Sequence, residues 1–282
     1  FFFKQKTAYE IPKRDWSSDV CSSDLPIYSS AFATPSAFVT NGTATGYAAS
    51  DVASYRNPFR VWKSSQAIST SDYVGINLGA AQTVKVVGVD NINLSGVSVE
   101  HSTDGSTWTS MATPTIAQDP LDGRYKLFYV VNGTTGISKQ YWRIKSNVSA
   151  TTNGSPSMQV GALYLLTDYY LLANPFGYPL TETPLQAIEA IELGGGGRET
   201  IGIGNRYARL QFSQRAWQAT TASNADFCRF AGSIGEHQPL VWYLNDGDTS
   251  HAYVGHRIGA QPYTLQGPNH ASIDGYTFEE YC

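Results

Sequence analysis

Three pairs of carboxylates stand close together along the 282-residue chain: Glu189 with Glu192, Asp246 with Asp248, and Glu279 with Glu280. Glycoside hydrolysis uses such pairs, one carboxyl donating a proton and the other attacking or activating water across roughly 5 to 9.5 Å. Closeness in sequence does not supply that separation, and these residues read as solvated strand or turn positions. His251 and His256 lie on an expected strand at an odd spacing, so they project from opposite faces and do not share one metal ion. Gly194 to Gly197 is not followed by the Gly-Lys-Ser/Thr of a phosphate-cradling loop, and no helix pattern starts there, which leaves a turn. Neither a Gly-x-Ser-x-Gly elbow nor a histidine with an evident nucleophile and acid partner occurs. The expectation is a non-enzymatic protein with no catalytic residue, no metal site and no cofactor.

If the chain does not catalyse, its elements must present a binding surface. Residues 1–25 are set aside first. Lys4 to Ile11 and the run Asp15-Trp-Ser-Ser-Asp-Val-Cys-Ser-Ser-Asp-Leu25 resemble the in-frame translation of a sequencing adapter, which implies native sequence from about Pro26. That segment holds Lys4, Lys6, Lys13 and Arg14 against Glu10, Asp15, Asp19 and Asp24, so the net charge of -4 is unchanged without it. Weak acidity speaks against nucleic acid as a partner. No apolar run approaches the ~18 residues of a membrane span. With Cys21 in the adapter-like segment, Cys228 and Cys282 remain, which is no disulfide framework; two unrelated thiols are expected.

From about residue 30 to 167, short alternating segments recur between clusters of Gly, Asn, Asp and Ser. Val74 to Leu78, Val84 to Val86, Val97 to Glu100, Tyr125 to Val131 and Trp142 to Lys145 each place apolar side chains on one face, the period of a half-buried strand. No helical pattern of equal strength interrupts them, which predicts an antiparallel sandwich or jelly roll. Within this stretch Arg60-Val-Trp62-Lys-Ser-Ser65, Tyr73 to Gly79, Val99-Glu-His-Ser-Thr-Asp104-Gly105-Ser-Thr-Trp108, Arg124-Tyr125 and Tyr141-Trp142-Arg143-Ile144 follow in order. Asp104-Gly105 is a tight-turn pair, after which Trp108 is placed to fold back over the core. Trp62, Trp108 and Trp142 are expected to be structural core.

This order of landmarks resembles the discoidin, or coagulation-factor type-C, family of galactose-binding-like jelly rolls. The resemblance implies a binding module whose ligand, commonly a glycan and sometimes a lipid head group or protein, meets loops at one end of the sandwich. The matching loop here is Ser54 to Arg60. Tyr55 and Phe59 would stack on a sugar's apolar face while Arg56, Asn57 and Arg60 hydrogen-bond its hydroxyls. The other reading has Phe59 and Trp62 plugging the bottom of the core and both arginines solvated. Many family members carry an Asp-Gly before the first Trp that helps hold calcium. Here Asp51-Val-Ala-Ser-Tyr55 has none, which puts a calcium site in doubt.

Residues 168–184, with Asn174-Pro175 and Tyr178-Pro179, read as an ordered connector. Beyond it, residues 185–282 read as a smaller β-rich (α+β) domain. Strands are expected at Glu199 to Ile203, Arg206 to Ser213, Leu240 to Leu244, His251 to Ile258 and Gly275 to Tyr281, with a turn at Asn245 to Asp248. One packed helix is expected from an Ser223 N-cap through Phe227, Phe230, Ala231 and Ile234 to the Gly235 stop. The layout with Gly-Gly-Arg198, Arg209-Leu-x-Phe212 and Phe278-Glu-Glu resembles tail-associated virion proteins of tailed bacteriophages. That implies a phage-tail structural protein with a carbohydrate-binding-like module for host-surface contact, homo-oligomeric and bound to other tail proteins. The alternatives are an extracellular bacterial glycan-binding adhesin, or the accessory module of a truncated carbohydrate-active enzyme. Removal of residues 1–25 should leave the melting temperature unchanged, which thermal denaturation of the shortened chain checks.

Overall fold

The computed structural model describes residues 27–120, 122–133, 135–171, 177–192, 198–217, 238–243, 251–259, 263–267 and 270–281. The chain opens with β1 (Ile27–Ser29) and β2 (Ala37–Thr40), then a short 3-10 turn at Ala49–Ala53. Next come β3 (Trp62–Lys63), β4 (Tyr73–Val84), β5 (Val86–Ile92), β6 (Val97–Ser102), β7 (Thr109–Ala112), β8 (Ala117–Gln118), β9 (Tyr125–Val130), β10 (Ile137–Ser146) and β11 (Gln159–Leu166). The remainder holds β12 (Tyr170–Leu171), β13 (Gly177–Glu192), β14 (Arg198–Trp217), β15 (Leu240–Tyr243), β16 (Ala252–Arg257), β17 (Tyr263–Gly267) and β18 (His270–Glu280). The protein is mainly β and every strand pairing is antiparallel. Among the described residues no helix is long and apolar enough to cross a membrane.

Two five-stranded sheets form the sandwich, in the orders β2-β4-β10-β6-β7 (the front sheet) and β3-β11-β5-β9-β8 (the middle sheet). Alternation along each strand sends Val74, Ile76, Val97, Val99, Trp142 and Ile144 from the front, and Val87, Val89, Leu127, Leu163 and Leu165 from the middle, into one buried core. The other face of the middle sheet is covered as well. Val86, Phe128, Tyr164 and Leu166 pack there against Val241, Tyr243, Ala252 and Val254 of a third, eight-stranded sheet ordered β12-β1-β15-β16-β18-β14-β13, with β17 on β18. This is why β11 and β5 carry near-continuous apolar runs where a half-solvated strand would alternate. Gly88 leaves room for the Tyr164 ring, which lies where a Cβ would stand.

The third sheet takes its strands from both ends of the chain, because β1 pairs with β12 and β15. The middle layer is therefore clamped from the front by its sandwich partner and from the back by elements that flank it in sequence.

Several expectations need correction. Val84-Lys85-Val86 is a corner rather than one strand: Val84 ends β4 and faces the sandwich core, whereas Val86 begins β5 and faces the third sheet. Lys85 turns the chain, its N–H donating to Leu166 O and its carbonyl accepting from Val131 N. The alternation of a strand and of a sheet switch is the same apolar-polar-apolar string. The segments expected at 199–203 and 206–213 are one strand, β14; bulges opposite Gln186 to Ala190 absorb the irregularity without breaking the ladder. β13 begins at Gly177, inside the segment read as connector, and its Pro179 and Pro184 fit the sheet edge that β13 occupies. The expected helix at 223–235, the glycines 194–197, the turn at 245–248, Asn174-Pro175, both remaining cysteines and the adapter-like segment lie outside the described residues.

A Gly88→Ala substitution drives a methyl into the Tyr164 ring, so it should lower stability by about 1–3 kcal/mol. Urea denaturation checks this, and Gly88→Ala combined with Tyr164→Leu should recover part of the loss.

Candidate functional site

The loop from Ser54 to Arg60 leaves the 3-10 turn through three successive tight turns: Ser54 N–H to Asp51 O (2.9 Å), Asn57 N–H to Ser54 O (2.7 Å) and Arg60 N–H to Asn57 O (3.1 Å). These curl it over the end of the middle sheet, where the buried Pro58 is fixed twice. Its carbonyl accepts a 2.9 Å bond from Asn91 Nδ2, and it sits where a Cβ of Gly161 would be. Asn91 itself adopts φ 55°, a left-handed backbone that Asn tolerates better than most residues.

The five candidate residues are brought together but do not face one way. Tyr55 stacks on Phe32 at 4.4 Å and 19°, and Phe32 in turn meets Tyr164 edge-on, so one face of the Tyr55 ring is spent on the joint with the third sheet. Phe59 lies under the Arg124 guanidinium at 5.2 Å. Arg60 pairs through Nε with Asp51 at 2.8 Å while its side chain stays 66% exposed. Arg56 and Asn57 are exposed, and Arg56 lies 5.9 Å over the ring of Tyr281, which stacks on His256 at 5.2 Å. Burial raises the Tyr281 hydroxyl above its ordinary value, and Arg56 works the other way.

Tyr281 and His256 thus border the loop, although sequence reading assigned them to a separate domain. No local signal in the sequence announces that neighbourhood, because it depends on how β16 and β18 dock.

Of the tryptophans expected in the core, Trp62 and Trp142 are fully enclosed, with indole N–H groups donating to Thr43 Oγ1 (3.1 Å) and Lys139 O (3.3 Å). Trp108 is half-buried and lies outside that cluster. It covers the outer face of the front sheet, holding the Arg143 guanidinium at 3.9 Å while Tyr73 takes the guanidinium's approach at 4.4 Å. Arg143 is anchored by Glu100, Nε to Oε2 at 2.7 Å. The Asp104 carboxylate, which accepts the Ser106 and Thr107 N–H groups, is held below its usual range by those bonds and builds the turn that delivers Trp108.

The carboxylates weighed in sequence have different fates. Glu279 pairs with Arg209 at 2.6 Å, Glu189 and Glu192 lie on β13, and Asp246 and Asp248 lie outside the described residues. Glu280 enters a buried site, one that sequence reading missed. Lys126 Nζ sits 2.6 Å from Asp119, 2.7 Å from Glu280 and 3.5 Å from Asp122, and lies 4.6 Å over the Tyr253 ring. Arg124 reaches Asp90 at 2.8 Å, Asp122 at 2.6 Å, and Glu280. Asp119, Asp122 and Glu280 present oxygens within 4.8 Å of one another, a spacing that suits a cation, and the Lys126 ammonium already stands among them.

Desolvation works against the charges of Asp90, Asp122, Arg124, Lys126 and Glu280. It raises Glu280 to about 7 and raises Asp90, outweighing Lys126 and Arg124. It also acts to lower both cations, yet the surrounding carboxylates hold Lys126 and Arg124 above their ordinary values. Burial opposes ionisation of Asp122 too, but Lys126 and Arg124 keep it below the usual carboxylate range.

Because Gly161 admits the Pro58 carbonyl, Gly161→Ala should displace the loop and lower stability by about 1–3 kcal/mol. Thermal denaturation checks the stability. A rise in the rate of limited proteolysis at Arg56 or Arg60 checks the displacement.

No family model matches the chain, and no curated protein matches it. Solved structures do. A family 32 carbohydrate-binding module of AlyQ, in complex with 4,5-unsaturated mannuronic acid, is 16% identical with a TM-score of 0.38, covering 48% of this chain and 97% of that one. The family 32 module of Clostridium perfringens NanJ, in complex with galactose, is 15% identical with a TM-score of 0.37, covering 47% of this chain and 92% of that one. Chitosan-binding module 1 of a chitosanase/glucanase from Paenibacillus sp. IK-5 is 21% identical with a TM-score of 0.36, covering 47% and 96%.

Proposed function

We propose that this is a non-enzymatic glycan-binding protein whose sugar meets the Tyr55–Arg60 loop. The observation that carries the reading is a loop held rigidly at Pro58 that still offers the exposed Arg56 and Asn57, and the largely exposed Arg60, beside a half-buried tyrosine ring. A loop backbone fixed in this way loses little conformational entropy on binding, and an aromatic edge beside its donors suits the mixed polar and apolar surface of a sugar. Phe59, by contrast, supports the loop from beneath through Arg124.

The setting we propose is the tail of a bacteriophage virion, with the third sheet joining the sandwich to other tail proteins and to further copies of the chain. Support for it is the layout of Gly-Gly-Arg198, Arg209-Leu-x-Phe212 and Phe278-Glu-Glu in the sequence. A secreted adhesin, or a module accessory to a carbohydrate-active enzyme, would carry the same loop, and the genes beside the coding sequence separate the three.

A glycan array with the full chain should give hits that weaken about tenfold or more in Arg56→Ala and in Tyr55→Ala, a loss of about 1.4 kcal/mol each. An array without hits from folded protein removes the proposal.

A further inference from the structure

The Tyr55–Arg60 loop is richer in hydrogen-bond donors than in acceptors. Arg56 and Arg60 are exposed, and a guanidinium carries N–H donors and no acceptor. The carbonyls of Ser54, Asn57 and Pro58 already accept from Asn57 N, Arg60 N and Asn91 Nδ2. The Asp51 carboxylate, which reaches the loop, is buried against Arg60 Nε. A hydroxyl of a neutral sugar both donates and accepts, so a ring carrying hydroxyls alone finds the donors of this loop but few of the acceptors it needs.

The two guanidinium groups differ in charge balance. Asp51 stands 2.8 Å from Arg60 and offsets its charge. Arg56 pairs with no carboxylate among the described residues, and its guanidinium lies 5.9 Å over the Tyr281 ring. The ring orients the cation without cancelling its charge. The chain's net charge of -4 opposes an anion, but it is spread over 282 residues and screened beyond about 8 Å at physiological salt, so the cation in contact decides.

We infer that the loop selects an acidic glycan, one that carries a carboxylate or a sulfate, and that Arg56 is the specificity-determining residue: its guanidinium fork takes two oxygens of the anionic group while Asn57 and Tyr55 meet the sugar ring. This inference rests on the loop being the sugar site. A guanidinium on such a group makes two charge-assisted bonds in parallel, each stronger than a bond to a neutral hydroxyl. The pair is open to water, which holds the gain to about fivefold.

The test is binding of the full chain to a glycan array that sets carboxylated and sulfated sugars beside neutral counterparts of the same linkage, followed by titration of the matched pairs. The acidic member of a pair should bind about fivefold more tightly at ~0.05 M sodium chloride, with the ratio shrinking toward one at ~0.5 M. Arg56→Gln keeps an amide at an exposed position, and in it the ratio should fall to about one at low salt as well. Hits on the carboxylated or on the sulfated members tell which anion the fork takes. Neutral members bound as tightly as acidic ones, in hits that still weaken in Tyr55→Ala, overturn the inference and leave the loop as the sugar site. An acidic preference that persists in Arg56→Gln overturns it too. An array without hits from folded protein removes both readings.

Discussion

The middle sheet has no face left for water. One face closes the sandwich core and the other meets the third sheet, yet β5 and β9 place Asp90 and Lys126 directly opposite each other on that second face. A cross-strand ion pair on an exposed face costs little, but here both charges lose their solvent and must find every partner within the protein. The partners come from one turn, Asp119 to Arg124, and from one distant strand end, Glu280. The remaining architecture follows from meeting that demand. The last strand must dock in one register to present Glu280, which fixes β16 beside it and then β15 and β1.

Apolar contact supplies the larger part of the attraction across this joint, through Val86, Phe128, Tyr164 and Leu166 against Val241, Tyr243, Ala252 and Val254. Such contact is tolerant of sliding, because one aliphatic side chain packs against another with little regard for register. The charged end is not tolerant. Moving Glu280 by one residue turns its carboxylate to the other face of β18 and away from Lys126 and Arg124. The cluster therefore favours one register of docking.

The parts of this structure that were legible in the sequence are those in which a local pattern decides the outcome. The strands of the front sheet follow from alternation, the Asp104-Gly105 turn from the φ that glycine supplies, and the burial of Trp62 and Trp142 from size and apolarity. Where a residue's environment is made by another layer, the pattern misleads. Lys85 reads as an ordinary outward position in a strand, yet its neighbours face two different cores. Trp108 reads as core, but its indole is occupied by Arg143, so a cation rather than an aliphatic residue holds it in place. Lys126 and Glu280 read as solvated because nothing local shows that two remote sheets will close on them.

The loop from Tyr55 to Arg60 joins both kinds of reasoning. Its turn chemistry is local, whereas its rigidity is not: Gly161 and Asn91 of the middle sheet hold Pro58, and Arg124 of the buried cluster holds Phe59. A binding loop gains affinity when its donors are fixed before the ligand arrives, since ordering them on contact would cost free energy at each rotatable side chain. Here the fixing groups belong to the sheet that is buried on both faces. Arg124 holds Glu280 of the third sheet on one side and Phe59 at the base of the loop on the other. The charged cluster and the candidate binding loop therefore share Arg124, although Phe59 and Glu280 are far apart in the chain.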